Sequence, residues 1–241
     1  MKKLAVGIAA VTLAACGYGA SASEGDATGS GTNGNRTYSV GDFDKIEVSG
    51  PYKVEVATGG ATSVSATGDE KLLEKTEVKV KGDTLIIRPA RKMRLSWGKH
   101  GGKAVFKVTT AMLHGAGIAG SGTVDVDKVD GDFAGEIAGS GNINVAAMRG
   151  GKASMEIAGS GNITYSGTAD DISVEIAGSG NAQAEALQAR TGSVEIAGSG
   201  NVDAYISDSA DIEIVGSGDV TISGGAKCTV DKVGGGKVKC G

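Results

Sequence analysis

Apolar and polar positions alternate along most of the chain beyond its first 36 residues. In Ser173-Val174-Glu175-Ile176-Ala177-Gly178-Ser179, Val174 and Ile176 fall on one face and Glu175 and Ala177 on the other, the two-residue period of a half-buried strand. The phrase repeats. Ile118-Ala119-Gly120-Ser121-Gly122 returns from Ile137, Ile157, Ile176 and Ile196, and as Ile214-Val215-Gly216-Ser217-Gly218, at intervals of 19, 20, 19, 20 and 18 residues. A second short strand follows each Gly-Ser-Gly, with Ile143 and Val145, Ile163 and Tyr165, or Val202 and Ala204 as its inward pairs. Strand alternation inside a fixed period predicts an all-β fold, a parallel β-helix or solenoid with coils of about 20 residues stacked strand on strand. A propeller blade needs about twice that length, and a leucine-rich repeat needs several leucines per unit, which these units lack.

Composition sharpens the picture. The chain has 241 residues, with 42 Gly and only 2 Pro, which excludes collagen. With 40% hydrophobic residues and a net charge of -4, it carries enough apolar surface to fold. The glycines are the corners of the coils, where the backbone adopts angles that other residues resist. Aromatic residues make up 4% of the chain, as a narrow core requires, because a ring there needs matching gaps above and below.

In a stack, each repeated position becomes a column. Asn142, Asn162, Asn181 and Asn201 follow the corner in four consecutive units, with Thr123 and Asp219 at the same place in the flanking ones. Amides about 4.8 Å apart can donate to one neighbour and accept from the other, so this column reads as a structural ladder. Ser121, Ser140, Ser160, Ser179, Ser199 and Ser217 form a column of hydroxyls with no histidine inside the array to activate one. Glu136, Glu156, Glu175, Glu195 and Glu213 each precede the recurring Ile. Carboxylates about 4.8 Å apart repel by about 1 kcal/mol in water, so they face solvent or hold cations such as Ca²⁺ or Mg²⁺ weakly. The units lack the Gly-Gly-x-Gly-x-Asp phrase of calcium-binding β-rolls, which favours a solvated face and leaves metal and other cofactors without a defined site. Sixteen acids against four bases between Gly115 and Ile222 make the array hostile to nucleic acid.

The start of the chain reads as an address. Lys2 and Lys3 precede an apolar run from Leu4 to Ala15, too short to span a bilayer and suited to an export signal over residues 1–15. Leu13-Ala14-Ala15-Cys16 resembles the bacterial lipobox, which implies cleavage before Cys16 and lipidation of its thiol, so that the membrane is a partner through the anchor. Gly17 follows where an inner-membrane retention signal would place Asp, which implies sorting to the outer membrane, facing the periplasm or the cell surface. Residues 16–36, rich in Gly, Ala, Ser, Thr and Asn, form a flexible tether. The remaining cysteines, Cys228 and Cys240, are an even pair in an exported chain and are expected to form a disulfide closing a short tail, residues 223–241. His100 and His114 lie far from them in sequence, which disfavours a metal site there.

Residues 37–114 differ from the regular array at 115–222. Ile46-Glu47-Val48-Ser49-Gly50 echoes the later phrase and predicts degenerate coils continuing the same sheets, interrupted by a short helix within Asp69 to Thr76. Bases outnumber acids here, and residues 88–103 form a basic loop without an acid. Arg91, Lys92, Arg94 and Trp97 are candidates for contact with anionic glycan or lipid headgroups, with a mobile charged hairpin as the plainer reading.

The Gly-Ser-Gly corners at about 20 residues, the opening Phe43-Asp44-Lys45-Ile46-Glu47-Val48-Ser49-Gly50 and the exported start together resemble the head GIN domain family of auto-transporter adhesins, from about Tyr38 to Ser223. The resemblance implies a right-handed β-helix and a cell-envelope location, and it carries no catalytic motif. After Ile222 only the Cys-bounded tail is seen, so the chain is not expected to carry a membrane barrel for its own transport. The expectation is a non-catalytic envelope lipoprotein, an adhesin or binding module that presents a solenoid surface to glycan or protein ligands. A periplasmic structural or signalling lipoprotein is the alternative. A polysaccharide-acting enzyme fits less well, because an active site breaks a repeat locally and no unit here does so strongly.

Overall fold

The computed structural model describes residues 29–30, 34–90 and 103–241. The export signal, Cys16, most of the tether, Arg91, Lys92, Arg94, Trp97 and His100 lie outside the described residues. The rest is a parallel β-solenoid. Its leading sheet holds the strands before each Gly-Ser-Gly corner and its trailing sheet those after it. In the leading sheet Ile118, Ile137, Ile157, Ile176, Ile196 and Ile214 stack in register and are all buried. In the trailing sheet Val124, Ile143, Ile163, Ala182, Val202 and Val220 do the same. A short third side carries Val129, Met148 and Leu187 into the core. Asn162–Gly178 and Asn181–Gly198 run unbroken from the trailing sheet round to the leading one. Val and Ile suit this pleated, half-buried surface because their branched side chains pack against the same residue one coil away.

The corners are backbone stacked on backbone. At Gly178, φ is 135°, which side chains disfavour, and a Cβ there would collide with the Gly159 carbonyl of the coil before. A Cβ on Gly180 would lie 2.5 Å from the Gly161 oxygen and 2.6 Å from Ile157 Cγ2. This approach lets the hydrogen-bond ladder turn the corner. The Ser179 N–H donates to the Gly159 carbonyl at 2.8 Å and the Asn181 N–H to the Gly161 carbonyl at 3.0 Å. Where a ring enters the array, a glycine makes room for it. Tyr165 is fully buried, edge-on to Phe133 with ring centroids 5.6 Å apart, and any side chain at Gly135 would meet its hydroxyl. That hydroxyl donates to the Ser154 carbonyl at 3.1 Å.

The N-terminal region continues both sheets, but not in sequence order. Lys45–Ser49 pairs in parallel with Gly115–Gly120 on one side and with Thr84–Pro89 on the other. Lys53–Thr58 lies likewise between Thr123–Val126 and Ala104–Thr110. The later coil is therefore the outer one, and the chain passes back over the earlier coil to enter the array. Beyond it the strands turn antiparallel. Thr76–Lys81 pairs with Thr84–Pro89, Ser63–Gly68 with Ala104–Thr110, and Asn35–Tyr38 with Ser63–Gly68. Antiparallel hairpins need only short turns, so the chain can fold back over an edge that a parallel coil would leave open. A one-turn helix, Glu70–Leu73, is capped by Asp69, whose carboxylate accepts from the Leu72 N–H, and it buries Leu73. The core here is aromatic, with Tyr38 and Tyr52 packed against Phe106.

Residues 227–240 correct the expectation of a tail. Lys227–Gly234 pairs in parallel with residues 209–216, and Val238–Cys240 with residues 220–222, so this segment is one more coil. Cys228 and Cys240 stand in register with the buried Ala210 and Ile222 and form a disulfide across the end of the core. Gly234-Gly235-Gly236 is its corner, where the Gly235 N–H donates to the Gly216 carbonyl at 2.9 Å.

Candidate functional site

With the apolar columns consumed by the core, chemistry is left to the outer faces of the two sheets. On the leading face, Glu136, Glu156, Glu175, Glu195 and Glu213 stand in register, continued by Asp231. Beside them runs a column of small residues, Ala119, Ala138, Ala158, Ala177 and Ala197, widening to Val215 and Val233. All the glutamates are exposed except Glu156, which is half-buried in the middle of the row. Partial burial raises the pKa of its carboxyl, with the charges of Glu136 and Glu175 adding to the effect. A flat column offers one carboxylate per coil and cannot wrap a cation that prefers six or more oxygens. Among the described residues no group of three or more His, Cys, Asp or Glu side chains is arranged to hold a metal ion.

On the trailing face the four asparagines form a continuous ladder. Asn162 Nδ2 donates to Asn142 Oδ1 at 3.0 Å, Asn181 Nδ2 to Asn162 Oδ1 at 2.8 Å and Asn201 Nδ2 to Asn181 Oδ1 at 2.9 Å. Asp219 ends it, its N–H donating to Asn201 Oδ1 at 3.2 Å while its carboxylate accepts from the Lys237 N–H at 2.8 Å. Next to the ladder runs a second polar column that the repeat phrase conceals because its members differ: Asp125, Asn144, Thr164, Gln183 and Asp203. Asn144 Nδ2 donates to Asp125 Oδ1 at 2.7 Å and Thr164 Oγ1 to Gln183 Oε1 at 3.1 Å. Position alone could have found it, since each member lies two residues after the corner Asn or Thr. The trailing face is thus a two-column array of amides, hydroxyls and occasional carboxylates, with several side chains fixed by bonds between coils.

The antiparallel cap holds a different cluster. Glu77 accepts a two-point contact from Arg88, Nε at 2.8 Å and Nη2 at 3.1 Å, and pairs with Lys79 at 3.1 Å. The Arg88 hydrogen bonds are the main reason its carboxyl is pulled down to a pKa of about 2. Cross-strand pairing places Glu77 opposite Arg88. No repeat pointed to this pair.

A family model described as "Putative auto-transporter adhesin, head GIN domain" matches residues 42–226. No curated protein matches the chain. Among solved structures, a crystal structure described as a putative adhesin from Bacteroides fragilis is 22% identical, covering 85% of this chain and 95% of that one, with a TM-score of 0.74. One from Parabacteroides distasonis, described as a putative lipid binding protein, is 26% identical, covering 86% and 96%, with a TM-score of 0.66. A putative adhesin from the same species is 21% identical over 85% and 95%, with a TM-score of 0.63.

Proposed function

Because the chain belongs to the head GIN domain family, whose description is that of a putative auto-transporter adhesin, we propose that it is a non-catalytic binding module of the cell envelope. Its sheet surface would meet glycan or protein ligands. The observation that carries this reading is the trailing face. Its polar columns run through successive coils without a break, and bonds between coils hold Asn142, Asn162, Asn181 and Asn201 in place. Side chains already ordered lose little freedom when a ligand arrives, which favours binding. Hydroxyl-rich chains are suited to such an array, whereas the glutamates of the leading face repel polyanions. A glycan-array screen of the protein lacking residues 1–28 tests the reading. Binding that Asn144→Ala and Gln183→Ala weaken would support it, and no binding to any glycan or to envelope proteins in pull-down would refute it. Turnover of a polysaccharide, abolished by Glu175→Gln or Glu195→Gln, would refute the non-catalytic part.

The same proposal places the module on a lipid anchor at Cys16, with residues 16–28 as the tether, shorter than the expected 16–36 because Gly29–Ser30 and Asn35–Tyr38 are paired strands of the cap. Metabolic labelling with a palmitate analogue should mark the wild-type chain and leave Cys16→Ser unlabelled. A second reading, direct contact with anionic lipid, draws on the end of the rod at residues 227–240. There Val230 and Val233 are 44% and 58% exposed beside Lys227, Lys232, Lys237 and Lys239. Co-sedimentation with phosphatidylglycerol vesicles, absent with phosphatidylcholine, would favour it.

A further inference from the structure

We propose that the coil at residues 227–240 is a redox-released cap, and that its release uncovers a pairing end for a second copy of this chain. The coil buries little. Where the preceding coil places Ala210, Ile212, Ile214, Val220 and Ile222 inward, it places Cys228, Val230, Lys232, Val238 and Cys240. Val230 is 44% exposed, and Lys232, above Ile214, turns its ammonium to the Gly236 carbonyl at 2.6 Å. The buried apolar core stops at Ile222. What holds the coil is its backbone pairing, the bond from the Lys237 N–H to the Asp219 carboxylate, the partial packing of Val238 and the Cys228–Cys240 bond, which ties its two strands so that neither frays alone.

Cys240 is exposed and Cys228 partly so, within reach of a small dithiol. Two thiol–disulfide exchanges would pass two electrons and two protons to the protein, leaving two cysteine thiols while the dithiol becomes a disulfide. Each strand could then open separately from the hinge at Gly224 and Gly225, whose φ angles are 100° and 85°. Opening uncovers Ile212, Ile214, Val220 and Ile222 together with the edges of two strands. Apolar surface on an unpaired edge is a template for strand addition. The other end of the rod finishes in antiparallel strands, one of which, Thr76–Lys81, carries Glu77, Lys79 and Lys81, charges that oppose strand addition, so self-pairing joins like ends and stops at a dimer, without growing into a filament. Asp211 and Glu213 on the uncovered edge would face their copies, so the dimer should strengthen with added salt.

Hydrogen exchange on the purified protein with and without dithiothreitol, and on the Cys228→Ser/Cys240→Ser double variant, tests the release. Removing a closure of this length should speed exchange in residues 209–216 and 227–240 roughly a hundredfold and leave residues 174–198 unchanged. Light scattering at high protein concentration should then show a doubled mass in reduced samples that rises with salt and reverts on reoxidation. Unchanged protection at 227–240 after reduction overturns the cap. Loss of protection with the mass still that of one chain overturns the self-pairing.

Discussion

The antiparallel cap and the regular array solve the same problem, covering a row of unpaired strand edges, by opposite means. In the array each coil is the template for the next, and Asn, Gly and Ile sit on copies of themselves. In the cap no residue is repeated. Rings fill the core around Phe106, and Glu77 and Arg88 bind across a hairpin. Translational stacking therefore needs few kinds of interaction and keeps identity in the corner Gly, leading Ile and Asn columns, whereas the cap is a mosaic of individual contacts. One residue type can thus behave differently in the two regions.

Glycine offers the widest contrast. Gly180→Ala, which would push into the Gly161 carbonyl and Ile157, should destabilise by roughly 3 kcal/mol, read as a lowered denaturant midpoint. Gly82→Ala, at a hairpin turn with φ of 63° and open space around it, should be milder, about 1 kcal/mol. Equal losses at the two sites would break the contrast. Next in size is the ladder. Asn181→Ala removes the donor to Asn162 and the acceptor for Asn201, and chemical unfolding should show a loss of about 1–2 kcal/mol.

The two smallest effects are opposite in their pH dependence. The Glu77 carboxyl is held low by Arg88, so its stabilisation is present above the ordinary glutamate range and is lost as pH falls toward about 2. Glu77→Gln should therefore lower stability by about 1 kcal/mol at pH 7 and have less effect the further pH falls below 4. Glu156 has a raised pKa, so its folded form favours the proton, and the penalty for its charge appears as pH rises through its folded value. Glu156→Gln should stabilise slightly at pH 7, by about a few tenths of a kcal/mol, and do nothing at low pH. Melting curves across pH check both signs.

The array was legible in the sequence because its phrase is repeated, so that a reader who aligns Ile118 with Ile137 has already found the register that the strands adopt. The order of the two N-terminal coils was not legible. A single echo, Ile46-Glu47-Val48-Ser49-Gly50, shows that a segment fits the sheet but not which neighbour it takes. The last coil was hidden because Lys232 replaces the recurring Ile, although Gly234-Gly235-Gly236 still marks a corner 18 residues after Gly216. Of the outer faces, the Asn and Glu columns could be read from identity. The column of Asp125, Asn144, Thr164, Gln183 and Asp203 could not, because its members differ and only their shared position, two residues after each corner Asn or Thr, unites them.

Stacked glycine corners also determine how such a molecule can change in size. Adding one residue to a strand reverses which side chains face inward, but adding a whole unit, from one corner to the next, reproduces every contact it interrupts. The rod is thus quantised. Ancestral lengthening or shortening by duplication and deletion would move in steps of one unit, about 4.8 Å of reach each, while the antiparallel cap and the disulfide-bearing coil stay fixed at the two ends.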